Sequence, residues 1–350
     1  MYLQSIASAV PPFSYTQAEC WEEIKQSPSA GKLRSRSMSI LEKVLLNGSG
    51  IEKRQFFIPE PAMAFERSAE TLNRQFEEYA PVLSREALEK ALASAGMEAA
   101  DLDALFVCTC TGYLCPGVSS HVAEAMGMRG DASLHDIVGL GCGAAIPLMR
   151  SADGFLAANP GATVATVAVE ICSSAFYLDD DPGVLISLCL FGDAAAAAIW
   201  RGESGEAGQW RTGGWQTLHQ PEHREKIRFV NAGGALKNQL HKSVPGVSSE
   251  AVGRLFEERY GGDGEGVKIV SHGGGRDVVD AIERRLGLEG ERALVETRAI
   301  LNENGNCSSP SVLMGLERYL AGEAGAERIW LTSFGAGFTA HACELTRGDC

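Results

Sequence analysis

Short apolar segments alternate with amphipathic ones twice along this chain, which predicts an α/β fold of two layered halves with mixed sheets. Two further observations support it. The strand-like segments are brief and continuously apolar or β-branched, as buried strands are. Glycines mark the passages from these segments into helical ones.

Taken in order, residues 66–95 read as a helix. Leu72, Phe76, Tyr79, Ala80 and Leu83 recur at three- and four-residue steps, a break is expected near Pro81, and Gly96 ends the run. Residues 104–110 read as a buried strand, 119–126 as a helix and 134–138 as a strand. The turn Gly139-Leu140-Gly141 leads into Cys142 and a helix over 144–158. A strand over 163–169 follows, then two apolar strands, 185–190 and 194–200, split at Gly192-Asp193. Glycine-rich residues 202–214 read as the junction, so the expected halves are 1–204 and 205–350. The second half repeats the pattern, with strands at 227–231, 267–271, 327–333 and 338–345 and helices at 277–286 and 309–320.

Composition narrows the function. The chain is 45% hydrophobic and 22% charged, ordinary for a globular protein of 350 residues. A net charge of -14 argues against a nucleic-acid partner. Two small basic clusters, Lys32, Arg34, Arg36 and Lys43, and Arg224, Lys226 and Arg228, read as solvated surface or as a landing place for phosphates. Ten scattered cysteines without a disulfide framework indicate a reduced, cytoplasmic protein. Cys108, Cys110 and Cys115 lack a second Cys/His pair at zinc spacing, so no metal is expected. No apolar run approaches the about 20 residues of a membrane helix, and no signal peptide is evident.

Cys142 is the nucleophile candidate. It stands where a strand gives way to a glycine turn and a helix, whose N-terminal dipole is expected to lower a thiol pKa. A buried structural cysteine is the alternative. His272 follows a strand and precedes Gly273-Gly274-Gly275, and Asn306 precedes a helix in Asn304-Gly305-Asn306-Cys307-Ser308-Ser309. A satisfied structural histidine and a helix N-cap are the bland readings of these two. Together the three fit decarboxylative Claisen condensation. A thiolate carries an acyl group, while His and Asn donate hydrogen bonds to the enolate formed as carbon dioxide leaves. That chemistry requires no cofactor beyond thioester substrates.

With these residues placed, the chain from about residue 51 to 345 resembles the type III polyketide synthases, the chalcone and stilbene synthase superfamily, in a bacterial form. The resemblance rests on six segments in family order: 104–112 with Cys115-Pro116-Gly117, Gly141-Cys142-Gly143, Leu190-Phe191-Gly192-Asp193, His272-Gly273-Gly274-Gly275, Gly305-Asn306-Cys307-Ser308-Ser309 and Ser333-Phe334-Gly335-Ala336-Gly337. It implies a thiolase-like fold, a homodimer with Cys115 near the interface, and extension of an acyl-CoA starter by malonyl-CoA, then cyclisation. It implies Cys142, His272 and Asn306 as catalytic residues. It also implies Phe191, Cys110, Cys172, Ala175, Asn238, Ser308, Gly335 and Gly337 as substrate-binding, with Lys43 and Arg276 holding CoA phosphates. Asn238 stands where the family usually has a second gatekeeper phenylalanine, Cys110 where plant enzymes carry threonine, and Ala336 where proline is common.

Two alternatives stay open. A ketoacyl-carrier-protein synthase III-like enzyme shares the Cys-His-Asn set, although that family typically continues its histidine as His-Gln-Ala-Asn. A non-catalytic ketosynthase-like binding subunit is the other.

Overall fold

The computed structural model describes residues 1–61, 64–204, 208–262, 264–290, 293–322 and 325–347. The chain runs β1 (Tyr2–Ala9), β2 (Phe13–Thr16), α1 (Gln17–Gln26), α2 (Ser35–Leu46), β3 (Lys53–Phe56), α3 (Ala69–Ala95), β4 (Ala104–Thr109), α4 (Val118–Met126), β5 (Ser133–Val138), α5 (Ala145–Ala158), β6 (Thr163–Glu170), α6 (Pro182–Leu190) and β7 (Ala194–Arg201). It continues through β8 (Trp210–His219), β9 (Ile227–Ala232), β10 (Ala235–Leu240), α7 (Val244–Tyr260), β11 (Val267–Ser271), α8 (Arg276–Leu286), α9 (Val295–Asn304), α10 (Pro310–Ala321), β12 (Arg328–Gly335) and β13 (Thr339–Arg347).

Among the described residues nine strands form one sheet, ordered β11-β12-β13-β8-β1-β7-β6-β4-β5. Both ends are built alike. β4 lies parallel to β5 and β6, and β6 antiparallel to β7. On the other side β11 is parallel to β12, and β12 antiparallel to β13. The two ends meet at β1 and β8 through a single pairing, Tyr2 with Arg211. The mixed sheets are therefore joined edge to edge. The expected boundary after 204 abuts residues 205–207, which lie outside the described residues. β8 already begins at Trp210, inside the stretch read as a junction.

The layers follow from burial. β4, β6 and β7 are buried along nearly their whole length. One apolar cluster joins Phe106, Leu148, Met149, Trp200 and Leu313, and a second packs α3 residues Phe76, Leu83 and Leu88 against Val107, Val167 and Ile199. α5 and α10 lie on one face of the sheet and α3 on the other.

Two expected elements differ. Residues 185–190 are not a strand: they belong to helix α6. Its start is set by Asp181, whose carboxylate accepts the Gly183 N–H at 2.8 Å, with Pro182 in the first turn. The segment is buried almost throughout, so it lacks an amphipathic stripe and resembles a strand in sequence. The second is the break at Pro81, which does not occur; α3 is continuous over 27 residues. The carbonyl that Pro81 leaves unbonded belongs to exposed Glu77, where water can reach it.

Three buried titratable side chains set an acid response. Burial pulls His272 and His341 down to about 4 from 6.5, and pushes Asp193 up to about 6 from 3.8. Below pH 6.5 the unfolded chain takes up protons that the folded imidazoles refuse. Their contribution to stability is full above 6.5 and lost as the pH falls toward 4. Asp193 works the other way over the same window. His341→Gln should therefore lose less stability than the unaltered protein between pH 6.5 and 4 in urea titrations. Equal slopes would refute the assignment.

Candidate active site

The site is assembled at one junction between the two ends of the sheet. Cys142 occupies a single 3₁₀ turn, Gly141–Gly143, just before α5, and is 6% exposed. That turn is in close contact with the 333–337 segment. A Cβ at Gly335 would lie 2.5 Å from Gly143 N and 3.0 Å from Cys142 N, and one at Gly141 would lie 2.9 Å from Ala336 N. Only glycine at 335 admits this approach of two main chains. The Ser333 hydroxyl donates to the Gly143 carbonyl at 3.0 Å and fixes the register. Gly337, with φ of 126°, turns the same loop.

His272 leaves β11 fully buried. Its N–H donates to the Thr332 carbonyl at 2.8 Å, and the strand end is held by Thr297, whose hydroxyl donates to the Ser271 carbonyl at 2.9 Å. The ring packs edge-on against Phe334. Its Nδ1 is buried without a hydrogen-bond partner among the described residues.

Asn306 is held at both ends. Its Nδ2 donates to the Gly274 carbonyl at 3.1 Å, and its Oδ1 accepts the Ser308 N–H at 2.8 Å. Its main chain bridges to Phe191. It does not cap α10, whose N-cap is Ser309. Buried Arg54 fixes the facing turn, donating from Nη1 to the Leu188 and Phe191 carbonyls at 2.7 and 2.8 Å.

Ser308 joins the three candidates. It takes a left-handed φ of 57°, uncommon for a serine and supported here by the Asn306 side chain. Its hydroxyl is 3.2 Å from Cys142 Sγ, and its main chain lies beside the His272 ring.

Glu170 is a residue that sequence reasoning missed. It ends β6 with no exposure. Its Oε2 accepts from Thr109 Oγ1, Cys110 N, Thr111 N and Thr111 Oγ1 at 2.9–3.3 Å. Its Oε1 accepts from Ser308 Oγ, Ser309 Oγ and Cys110 Sγ at 3.1, 2.7 and 3.3 Å. A glutamate at the end of an otherwise apolar β-branched run was the available signal.

The electrostatics correct one expectation. The Cys142 thiol is not lowered by its helix; burial pushes it up to about 12, against the pull of the Ser308 hydroxyl. Glu170 adds to the rise, and no described lysine or arginine offsets it. With His272 at about 4, thiol and imidazole both rest uncharged at neutral pH.

A narrow cleft, with about 20 Å³ of room for water-sized groups, adjoins the site. Of the expected liners, Cys172, Ala175, Phe191 and Asn238 share its walls, together with Phe176, Ser187 and Phe229. Cys110 stands on the other side of Ser308, its Sγ 3.4 Å from that hydroxyl. Lys43 and Arg276 lie outside, both exposed. Arg276 begins α8 and covers the loop after α2: a Cβ at Gly48 would meet its guanidinium at 2.6 Å. Of the basic clusters, Arg34 pairs with Asp180 and Arg228 with Glu225. Among the described residues no His, Cys, Asp and Glu group is arranged to hold a metal ion. None of their helices is long and apolar enough to cross a membrane.

Comparison with known proteins agrees with this geometry. Residues 11–211 match the family model of FAE1/type III polyketide synthase-like proteins, and residues 219–343 that of the chalcone and stilbene synthase C-terminal domain. The chain is 30% identical over 331 residues to a 3,5-dihydroxyphenylacetyl-CoA synthase of Amycolatopsis orientalis, covering 89% of this chain and 84% of that one. It is 28% identical to the 1,3,6,8-tetrahydroxynaphthalene synthase of Streptomyces griseus, covering 85% and 80%. The crystal structure of the Streptomyces coelicolor tetrahydroxynaphthalene synthase superposes with a TM-score of 0.87 at 25% identity over the whole of both chains. That of PKS-I from the brown alga Ectocarpus siliculosus superposes with a TM-score of 0.90 at 23% identity, covering 99% and 98%, a likeness of fold. The fold is thiolase-like, and the chain belongs to the type III polyketide synthases of the chalcone and stilbene synthase superfamily.

Proposed function

We propose that this protein is an acyltransferase that extends an acyl-CoA starter with malonyl-CoA by decarboxylative Claisen condensation and then cyclises the product. The observation that carries this reading is the convergence of Cys142, His272 and Asn306 on Ser308.

The steps follow from the resting charges. Cys142 starts as a thiol and attacks the starter thioester; its proton ends on the departing CoA sulfur, and the acyl group stays on Cys142. Malonyl-CoA then places its thioester oxygen between His272 and Asn306. Neutral imidazole retains one N–H, and the Asn306 amide supplies the other donor. Loss of carbon dioxide leaves an enolate at that oxygen. Its carbon attacks the acyl carbonyl, the Cys142 sulfur departs as a thiolate and regains a proton from solvent, and a β-ketoacyl-CoA two carbons longer is released for reloading. No metal or redox cofactor enters these steps.

Lys43 and Arg276 are read as the contacts for CoA phosphates; in support, Lys43 is on α2 and Arg276 covers the loop that follows it. A homodimer through β5 is part of this reading. β5 is an edge strand with Leu134 and Val138 exposed, and Tyr113 and Cys115 are exposed on the loop between β4 and α4. The compartment proposed is the cytoplasm, where free cysteines stay reduced.

Cys142→Ala should abolish acyl loading, read by intact mass after incubation with acyl-CoA. His272→Ala or Asn306→Ala should slow carbon dioxide release from malonyl-CoA by roughly a hundredfold or more, the scale of removing one oxyanion donor. Near-normal product formation by any of the three would overturn the assignment. So would activity confined to malonyl-carrier protein.

A further inference from the structure

The cleft beside Cys142 is apolar except at one wall, and there the hydrogen bonds have a direction. The Ser187 hydroxyl donates to the Gly183 carbonyl at 2.6 Å. Its single proton is thereby used, so toward Asn238, 2.9 Å away, Ser187 can only accept. The Asn238 amide must then present Nδ2 to Ser187. Its Oδ1 has no donor among the described residues and is not sealed from solvent. The backbone holds this arrangement. Asn238 is paired across the β9–β10 hairpin with Phe229, and both line the cleft.

We infer that Asn238 is a specificity-determining residue that accepts a hydrogen bond from an O–H group on the acyl chain, and that Ser187 is the positioning residue that fixes its polarity. The inference rests on the reading that an acyl chain occupies this cleft. The walls around the oxygen are Cys172, Phe176, Val184, Leu188 and Phe191. A chain seated there without a donor leaves a desolvated carbonyl unpaired, which is the costly case. The substrate class is therefore an acyl group bearing a hydroxyl, or a growing chain bearing an enol. Tyr177 also lines the cleft; burial pushes its phenol up to about 12, so it stays protonated.

The test measures affinity without turnover, in the Cys142→Ala protein, by calorimetry with matched thioesters. The pairs are 4-hydroxybenzoyl-CoA against benzoyl-CoA, and 6-hydroxyhexanoyl-CoA against hexanoyl-CoA. A third pair, acetoacetyl-CoA against butyryl-CoA, reports on the enol. The hydroxylated or enolisable member of at least one pair should bind roughly fivefold or more tightly, the scale of one net hydrogen bond. A preference in the first two pairs places the donor on the starter, and one in the third alone places it on the growing chain. Adding Asn238→Leu should bring the pair within twofold of each other. Ser187→Ala should reduce the preference by freeing the amide to turn, and it keeps the test open if the leucine variant does not fold. No preference in any pair overturns the inference. So does a preference that survives Asn238→Leu, which would belong to Tyr177 or another group. Carbon dioxide release from malonyl-CoA by the unaltered protein is measured separately. Its absence would defeat the polyketide reading while leaving the affinity ratios to stand.

Discussion

A buried carboxylate holds this site together. Glu170 is fully enclosed, and seven donor groups converge on its two oxygens. Burying a carboxyl group costs free energy unless hydrogen-bond partners replace its hydration. The donors come from two places distant in sequence. Residues 109–111 leave β4, in the first half of the chain, and Ser308 and Ser309 precede α10, in the second. Glu170 thereby fixes one half against the other where, among the described residues, a single strand pairing, Tyr2 with Arg211, joins their sheets. The left-handed Ser308 depends on the same arrangement. Its side chain reaches Glu170 and Cys142, and its main chain reaches Asn306 and His272.

The same enclosure explains why the Cys142 thiol rests uncharged. A helix N-terminus favours a thiolate by a modest amount, and burial opposes any charge. Burial wins at Cys142, and Glu170 nearby adds its own opposition. At His272 burial again favours the neutral form. Neither Cys142 nor His272 is charged at rest, and in the proposed mechanism the enolate oxygen forms between two neutral donors. Donors already oriented need no reorganisation when that charge develops.

Much of this was legible in the sequence, for identifiable reasons. Glycine turns flank Cys142, follow His272 and precede Asn306; another main chain approaches closely at Gly141, Gly143 and Gly305, and side chains crowd Gly273 and Gly274. Glycine is the residue type that advertises such approaches. The strands of both sheet ends were legible from continuous apolar runs. What failed was local chemistry read too lightly. Asp181-Pro182 announced the start of α6, but the apolar run over 185–190 outweighed it. Pro81 suggested a break whose cost solvent relieves. Glu170 escaped notice because its meaning lies in its partners, 59 to 139 residues away, which no local pattern shows. The thiol pKa escaped for a related reason: a dipole is visible in sequence, and desolvation is not.

The residues proposed for catalysis and those proposed to select the acyl group belong to different parts of the chain. Ser308, Glu170, Asn306 and the 333–337 loop are locked by mutual hydrogen bonds and main-chain contact. A change in any of them disturbs the others. The cleft wall opposite is a hairpin in a separate two-stranded sheet. Its register is set at Gly233-Gly234, both with positive φ, where Asn231 Oδ1 accepts the Gly234 N–H and Asn73 donates to the Gly234 carbonyl. Register decides which side chain faces the cleft, since a slip of one residue would bring Lys237 or Gln239 to the position of Asn238. The polar acceptor in an otherwise apolar wall is thus held by a turn that touches none of the residues proposed for catalysis. Substitution along the hairpin can change what enters the cleft while the condensing chemistry stays fixed.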